Sequence, residues 1–262
     1  MRPYAAILSM RFRALLQYRA AAVAGFGTQL FWGLIRMMIF LAFYENTKAQ
    51  TPMNIEQVVA YVWLGQAFLL LIPFRSDQEL EQLIRTGNVA YELLRPVDLF
   101  NFWYSRAIAT RIAPTMLRSI PLLIIATLTG WIHWAGLPNI AAGIAALAAA
   151  TLLSSAISTI MTITIFWTIS GKGINSFLTT LSFFFSGLIV PLPLFPDFLQ
   201  PILHFLPFRG LGDVPFRLLI GQMPAGELPM VLAHQLGWTI TLVLFGRWLL
   251  RRALTKLVIQ GG

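Results

Sequence analysis

Six long apolar stretches alternate with short polar or charged segments along the chain. They run approximately over residues 21–44, 57–74, 112–134, 139–168, 174–195 and 230–250. A bilayer core of about 30 Å requires roughly 20 apolar residues in a helix, and a helix satisfies its own backbone hydrogen bonds there. The pattern therefore predicts an all-α polytopic membrane protein with six transmembrane helices, formed as a single transmembrane domain over residues 1–262.

The segment before the first apolar stretch, residues 1–19, predicts an amphipathic interfacial helix. Tyr4, Leu8, Phe12 and Leu15 share one side of this helix, whereas Arg13 lies elsewhere around the axis. A helix with this pattern is expected to lie along the membrane surface.

The gap between the second and third stretches predicts a short helix over residues 76–87. Ser76 and Glu79 have the spacing of a capping box, and Gly87 is expected to end the helix. Three apolar residues share one face of this helix: Leu80, Leu83 and Ile84. Because exposed contiguous apolar surface is uncommon, this stripe is expected to need a cover.

Residues 191–229 contain eight of the fifteen prolines but remain apolar. Proline prevents a continuous spanning helix, so the sequence predicts two short helices, near 197–206 and 214–221, at the outer membrane surface or dipping into it. Two interpretations stay open: an apolar loop packed on neighbouring helices, and a functional outer gate that includes Pro191, Pro196 and Pro207.

The fourth stretch carries small residues at every fourth position. These are Ala142, Ala146, Ala150, Ser154 and Ser158. Helices associate in lipid through close backbone approach, so this stripe predicts a helix–helix contact, either inside this chain or with another subunit.

Composition supports the membrane assignment. Hydrophobic residues make up 57% of the chain and charged residues 11%, with a mean hydropathy of +0.72. The net charge of +9 does not indicate a nucleic-acid partner, because the basic residues border apolar stretches and no nucleic-acid-binding module is recognisable. That arrangement indicates contact with anionic membrane lipids instead. The chain has no cysteine and its three histidines are scattered, so no metal site is expected.

The basic residues predict the orientation of the chain. With the N-terminus in the cytoplasm, fifteen of the nineteen lie on the inner side. They are Arg2, Arg11, Arg13, Arg19, Arg75, Arg85, Arg95, Arg106, Arg111, Arg118, Lys172, Arg247, Arg251, Arg252 and Lys256. Lys48, Arg209 and Arg217 remain outside. The expected location is therefore the plasma (inner) membrane, with both termini cytoplasmic.

The source of energy must lie outside this chain. No acidic residue falls within the six stretches, so the buried carboxylates typical of ion-coupled carriers are not expected. The segment Gly171-Lys172-Gly173 lacks the remaining residues of an ATP-binding loop. These absences predict a membrane subunit that is not itself an enzyme and is energised by a separate ATPase.

Three groups of residues occur in a characteristic order along the chain: Tyr18-Arg19; Glu79 to Gly87 followed by Leu94-Arg95-Pro96; and Gly187, Pro191, Phe195-Pro196 and Leu206-Pro207. With these residues the chain resembles the ABC-2 type permease subunits of ATP-binding-cassette transporters, in the six-span branch called ABC-2 family transporter protein. The resemblance covers nearly the whole length.

The resemblance implies an exporter of a hydrophobic or amphipathic substrate, built from two permease and two ATPase subunits. The second permease is either a copy of this chain or a different one. ATP and Mg are bound by the partner ATPase, and this chain binds no cofactor. The N-terminal helix becomes the connecting helix, residues 191–229 cap the pathway, and residues 76–87 form a cytoplasmic coupling helix seated in the ATPase. The implied coupling residues are Glu79, Leu80, Leu83, Ile84, Arg85 and Gly87.

Three further residues are candidates for the translocation path or a subunit interface. Arg36 is the one charge well inside the first stretch; its side chain either snorkels to the interface or attracts an anionic head group. Phe184 and Phe185 either form an apolar wall for cargo or face lipid.

Two other function classes remain as alternatives. One is a channel or facilitator that works without ATP. The other is a non-transporting membrane anchor or assembly protein, in which the inner helix and the proline-rich segment only bind partners.

Overall fold

The computed structural model describes residues 2–17, 19–46, 51–74, 76–168 and 172–255, and within them the chain is helical with no strand. This confirms the all-α class. Eleven α-helices follow one another in these residues: α1 Arg2–Leu16, α2 Arg19–Asn46, α3 Ile55–Ala67, α4 Gln78–Arg85, α5 Val89–Leu93, α6 Leu99–Leu128, α7 Leu137–Ile163, α8 Lys172–Phe185, α9 Gln200–Phe205, α10 Asp213–Leu219 and α11 Leu228–Leu254. Five residues named above lie outside the described residues: Tyr18, Lys48, Arg75, Gly171 and Lys256.

Within the described ranges, four helices are long and apolar enough to cross a membrane. They cover Ala22–Asn46, Leu99–Leu128, Leu137–Trp167 and Ala225–Leu254. They correspond to the first, third, fourth and sixth predicted stretches. The protein is therefore a multi-pass membrane protein.

The helices of the second and fifth stretches are shorter than predicted. α3 has 13 residues and α8 has 14. After α3 the chain forms a 3-10 turn at Leu69–Leu71 and reaches Pro73, which cannot continue a helix. After α8 it turns at Gly187, whose φ of 82° is left-handed, and then reaches Pro191.

α6 begins thirteen residues before the predicted third stretch, which ran over residues 112–134, and it ends six residues earlier. The Asp98 side chain accepts a hydrogen bond from the Asn101 amide at 2.8 Å and caps the N-terminus. Gly130, with a φ of 73°, follows the C-terminus. Basic residues expected in a loop, Arg106 and Arg111, therefore lie inside a long helix.

The largest core surrounds α3. Every residue of α3 from Val58 to Ala67 is buried, and α2, α6, α7 and the segment after α8 pack around it. The Trp63 ring stacks on Trp131 with centroids 4.5 Å apart. On its α2 side it lies against Gly33, where a Cβ atom would stand 2.7 Å from Trp63 Cζ3. This close approach requires glycine.

α7 is the central helix of the other half of the chain, and all five residues of its small-residue stripe are buried. Ala142 and Ala146 pack in a cluster with residues of α10 and α11. Gln235 of α11 donates to Ala146 O at 2.9 Å and to Gly210 O at 2.8 Å. The stripe therefore makes its contacts inside this chain, which answers the question that the sequence left open.

The proline-rich segment forms the short helices predicted for it. A 3-10 turn at Asp197–Leu199 leads into α9, and α10 follows a second 3-10 turn at Pro207–Leu211. Asn139 at the start of α7 donates to Leu218 O and Met223 O at 3.0 and 2.7 Å. These contacts place the segment at the end of the bundle opposite α4.

Two glycines of α2 form a matched pair for a packing test. We expect Gly33→Ala to lower the detergent-solubilised Tm on the order of 5 °C, because its Cβ meets the buried Trp63 ring. Gly27→Ala should leave the Tm unchanged or raise it, because nothing lies within 4 Å of that Cβ and alanine favours the helix. Thermal unfolding of both purified variants measures this. Equal shifts for the two would contradict the α2–α3 packing.

Candidate functional site

α4 is capped by Asp77 and not by Ser76. The Asp77 side chain accepts hydrogen bonds from the Glu79 and Leu80 amides at 3.0 and 3.2 Å. Ser76 Oγ instead donates to Glu81 Oε2 at 3.0 Å. The predicted capping box is therefore wrong by one residue. The predicted stop is confirmed, because Gly87 follows the helix with a left-handed φ of 74°.

Four charged side chains join α1, α4 and α6 at one end of the bundle. Arg106 of α6 donates from Nε and Nη2 to the two oxygens of Asp77, at 2.5 and 2.8 Å. Its Nη2 also donates to Glu79 Oε2 at 2.6 Å, and Arg11 of α1 donates to the same oxygen at 2.7 Å. We call Arg11, Asp77, Glu79 and Arg106 the ionic junction. The two parallel hydrogen bonds between Arg106 and Asp77 fix the relative orientation of the two side chains in addition to pairing their charges.

The charges of the ionic junction keep Glu79 ionised. Partial burial alone would raise the pKa of Glu79, but hydrogen bonds from Arg11 and Arg106 and their positive charges together lower it below its ordinary value. A carboxylate with a lowered pKa stabilises the fold above its unfolded pKa. That contribution is lost as the pH falls through the lowered value, so the junction is intact at neutral pH.

The segment that starts α4 also contacts two other helices. The Asp77 amide donates to Thr162 Oγ1 of α7 at 3.2 Å. Asn175 of α8 donates to Ser76 Oγ at 2.8 Å. Residues 76–79 are therefore tied to α1, α6, α7 and α8 at once.

The apolar stripe of α4 is covered by the chain itself. Leu80 is 2% exposed, and Leu83 and Ile84 are half-buried against a cluster that includes Val89 and Trp103. The stripe was expected to need a cover, and this chain supplies it. α4 packs against α5 and the 3-10 turn at Thr164–Trp167, and Trp103 of α6 belongs to the same cluster.

The opposite face of α4 is exposed. Gln82, Arg85 and Thr86 lie on it, and Arg85 pairs with Glu81 at 2.6 Å. Two apolar side chains follow on α5 and its end: Tyr91 is 70% exposed and Leu94 is 79% exposed. We call Gln82, Arg85, Thr86, Tyr91 and Leu94 the outer face of the α4–α5 unit.

The α4–α5 unit is held on α6 by side chains of α5. Trp103 Nε1 of α6 donates to Glu92 Oε2 at 3.0 Å. The Arg95 guanidinium lies 5.2 Å from the centroid of the Phe102 ring and pairs with Glu92 at 3.5 Å. The exposed side chains of the outer face are thus carried on a fixed backbone.

A cleft of about 1000 Å³ opens beside the ionic junction, between α1, the Leu69–Leu71 turn, α4, α6 and α7. All four residues of the junction line it, together with Arg111 and Arg118 of α6. Arg111 is 7% exposed. It donates from Nε to Ser154 Oγ at 2.7 Å, from Nη1 to Ala107 O at 2.9 Å, and from Nη2 to Ser158 Oγ.

Arg36 contacts the end of α8. Its Nη1 donates to Leu188 O at 2.6 Å, and its side chain is half-buried. Carbonyl groups beyond a helix C-terminus lack helical partners, and a cation there also interacts favourably with the helix dipole. Neither sequence interpretation of Arg36 anticipated this contact.

The two candidate phenylalanines differ in environment. Phe185 is half-buried and its ring stacks on Phe208 with centroids 6.2 Å apart. Phe184 is 43% exposed and makes an edge contact with Phe195 at 5.4 Å. The two rings also touch each other edge to face, with centroids 5.3 Å apart. Phe184 therefore faces outward and Phe185 packs inward from one aromatic contact.

The three candidate gate prolines lie at the starts of 3-10 turns. Pro191 and Pro196 directly precede the turns at Leu192–Leu194 and Asp197–Leu199, and Pro207 is the first residue of the turn at Pro207–Leu211. Pro191 and Pro207 are buried, whereas Pro196 is exposed. Gln200 joins the first two turns by donating to Leu192 O at 2.9 Å and Phe195 O at 3.0 Å. The prolines thus set where each short turn begins.

A buried carboxylate lies in this same half, against expectation. Asp213 is 1% exposed; Tyr61 donates to it at 3.0 Å and Arg217 at 3.4 Å. Burial raises the pKa of Asp213, and the charge of Arg217 acts against that rise. Gly187 permits the arrangement, because a Cβ there would collide with the Tyr61 hydroxyl. Sequence reasoning missed Asp213 because it lies outside the apolar stretches.

Sequence reasoning also missed the functional partners on α6. It assigned Arg106 and Arg111 to a cytoplasmic loop and left Asp77 inside a capping box. The available signal was Asp98, three residues before Asn101, which marks a helix start upstream of both arginines. Among the described residues, no group of three or more His, Asp or Glu side chains could hold a metal ion.

Comparison with known proteins agrees with this architecture. The profile of the family described as ABC-2 family transporter protein matches residues 30–261, from within α2 to nearly the end of the chain. No curated protein and no solved structure gave a match. The matched region includes α4, the cleft-lining part of α6 and the proline-rich segment. The chain belongs to the ABC-2 transporter family and is a membrane-embedded permease of an ATP-binding-cassette transporter.

Proposed function

We propose that this permease exports a hydrophobic or amphipathic substrate across the plasma membrane, and that a separate ATPase docks on the α4–α5 unit and drives it. ATP and Mg would be bound by that partner and not by this chain. The ionic junction is the observation that carries the proposal. It joins the element with the exposed outer face directly to α6, a candidate membrane span.

The proposal includes six crossings of the membrane. Four are the long helices. The other two are α3 with its 3-10 turn and α8 with the turn after it. The contacts at the two ends of the α3 segment support the first of these. Before α3, Met53 O accepts a hydrogen bond from Tyr44 near the C-terminal end of α2. After α3, Asp77 pairs with Arg106 near the N-terminal end of α6, so the segment runs from one end of the bundle to the other. The path of α8 supports the second, since Asn175 contacts Ser76.

We propose that the α4 end faces the cytoplasm. Basic side chains at this end include Arg11, Arg85, Arg95, Arg106 and Arg247. An excess of Lys and Arg is typical of cytoplasmic segments in membrane proteins. An ATPase on that side would meet the outer face of the α4–α5 unit.

The chemistry of the outer face suits a protein partner. Tyr91 and Leu94 expose apolar surface beside polar and charged groups, and Tyr and Arg are enriched at the energetic centres of interfaces. Movement of α4 by the ATPase would pull on α6 and α1 through the ionic junction, and on α7 and α8 through Thr162 and Asn175.

The assembly we propose contains two permease subunits and two ATPase subunits. The second permease is a copy of this chain or a related one. The exposed apolar sides of α2 and α11 are available for it or for lipid; they carry Phe31, Trp32, Ile240 and Leu244. We assign Arg36 to holding the end of α8 through Leu188 O.

Two rival functions make different predictions. An ATP-independent channel would conduct or release substrate as the purified chain alone in liposomes. A non-transporting anchor would retain full biological activity when the link between α4 and α6 is broken while assembly is preserved.

Tyr91→Ala should weaken ATPase docking. We expect at least tenfold less ATPase subunit to co-purify with the variant, because a central interface tyrosine contributes about 2 kcal/mol or more. The Tm should not change, since the side chain is 70% exposed. Quantitative mass spectrometry of the affinity-purified complex measures the ratio of the two subunits.

The matched control for docking is Phe198→Ala. Phe198 is 76% exposed, but it belongs to the proline-rich segment at the opposite end. Its removal should leave the co-purified ATPase unchanged. If Phe198→Ala lowers that ratio and Tyr91→Ala does not, both the docking face and the orientation are wrong.

Arg106→Gln should uncouple the ATPase from the membrane helices. The variant leaves Asp77 and Glu79 without their shared partner, at a cost of roughly 2 kcal/mol in stability after allowance for their exposure. We expect the ATPase still to co-purify, but its rate to lose the stimulation or inhibition that the wild-type permease imposes. ATP hydrolysis by the reconstituted complex, relative to the isolated ATPase, gives the measurement.

Two further variants control the coupling test. Arg106→Lys keeps the positive charge but cannot make the forked contact with Asp77, so it should retain only part of the wild-type influence on the ATPase rate. Arg247→Gln removes an arginine of α11 that donates to Asn101 at 2.7 Å and does not touch α4. It should retain wild-type coupling. An equal loss of ATPase coupling in Arg247→Gln and Arg106→Gln would contradict the proposed role of the ionic junction.

A further inference from the structure

Arg111 lines the cleft and, in the part of the chain that the structure describes, forms no ion pair with an acidic side chain. Its three hydrogen bonds all go to neutral oxygens, those of Ser154, Ser158 and Ala107. Among the described residues, Asp77 and Glu79 are the acidic side chains that line the cleft, and both are held by Arg106. A buried charge without a counter-charge is costly and is seldom kept without a function.

The charges around the cleft leave a positive excess. The ionic junction contains two arginines and two carboxylates, so its formal charge is zero. Of the lining residues that the structure describes, Arg111 and Arg118 are the other two that carry a charge. They lie seven residues apart on one face of α6, about 10 Å along the axis. Two arginines so placed can approach one anionic group from both sides.

Arg118 extends over α2 to reach this region. A Cβ atom at Gly25 would collide with the Arg118 guanidinium. The guanidinium group of Arg118 therefore lies directly against α2 at Gly25.

The remaining lining of the cleft is partly apolar. It includes Leu15, Leu69, Leu70, Ile72, Phe74 and Pro114. Hydroxyl groups of α7 lie on the other side, from Ser158, Thr159 and Thr162. A cation-rich, hydroxyl-lined region beside an apolar wall suits a ligand with an anionic head and a hydrocarbon tail. Thr159 and Thr162 donate their hydroxyl hydrogens to Ser155 O and Ser158 O. The guanidinium groups therefore supply the donors, and an Arg fork is a group that binds phosphate oxygens well.

We propose that this cleft binds the phosphate head group of an anionic amphiphile, with Arg111 and Arg118 contacting the phosphate and the apolar wall receiving the tail. The site is distinct from the docking surface on the outer face of α4 and α5, and the proposal does not depend on ATPase docking. It depends on the charge and the lining of the cleft alone.

Native mass spectrometry of the purified full-length chain in a neutral detergent tests the proposal. Dioctanoyl phosphatidic acid is the probe, and dioctanoylglycerol is the same tail without phosphate. We expect phosphatidic acid to bind at least tenfold more tightly. Inorganic phosphate, added as a competitor, should displace it only at a large excess, because it lacks the tail.

Substitution of the arginines identifies the site. We expect Arg111→Gln to weaken phosphatidic acid binding at least tenfold and to leave dioctanoylglycerol binding unchanged. Arg252→Gln is the matched control, because Arg252 is exposed on α11 and lies over the Trp248 ring at 4.9 Å. Since the buried Arg111 variant can fail to fold, Arg118→Gln serves as the second variant, with the same loss expected.

Three results would overturn the proposal. Equal binding of phosphatidic acid and dioctanoylglycerol would exclude a phosphate site. Displacement of phosphatidic acid by equimolar inorganic phosphate would show that the site binds soluble phosphate, and would exclude an amphiphile as its specific ligand. Unchanged binding in a folded Arg111→Gln or Arg118→Gln variant, or an equal loss in Arg252→Gln, would place the phosphate elsewhere. The amount of co-purified ATPase should stay at the wild-type level in Arg111→Gln and Arg118→Gln, which separates this result from the docking proposal.

Discussion

The forked ion pair between Arg106 and Asp77 is the contact on which the α4 end of this protein depends. One guanidinium group holds the cap residue of α4 and, through Glu79, the helix α1. The same cap residue touches α7, and its neighbour Ser76 touches α8. A short helix of eight residues would have little stability alone. Here it is fixed by charge at its first turn and by Leu80 on its buried face, so it can transmit a displacement to the helices around it.

The bilayer imposes a second constraint, because polar groups inside the bundle must find partners within the protein. The Gln235 side-chain nitrogen meets this requirement by donating to two carbonyl groups, one from α7 and one from the proline-rich segment. Arg36 meets it at the end of α8, and Arg111 meets it with serine hydroxyls. These polar contacts are few, and each joins segments that are distant in the sequence. Close packing at glycine and alanine supplies the rest, as between Gly33 and the Trp63 ring.

The two ends of the bundle carry different chemistry. The α4 end has a charged junction, an exposed outer face and a cleft with excess positive charge. The opposite end has short proline-limited helices and the buried group of Asp213, Tyr61 and Arg217.

Hydrophobic pattern, charge and proline positions determined much of this protein by themselves. They were sufficient for the all-α class, four long membrane helices, the helix after Ser76, its stop at Gly87 and the short helices near 197–206 and 214–221. Those features follow from local physics: apolar length, left-handed glycine and the missing amide of proline. The tertiary structure decided the rest. It selected Asp77 over Ser76 as the cap because Arg106 lies opposite, covered Leu80 with a cluster that includes Val89, Trp103 and Ile163, and buried Asp213 beneath Tyr61. Each of these depends on which distant side chain arrives beside a residue, and that information is not contained in local sequence spacing.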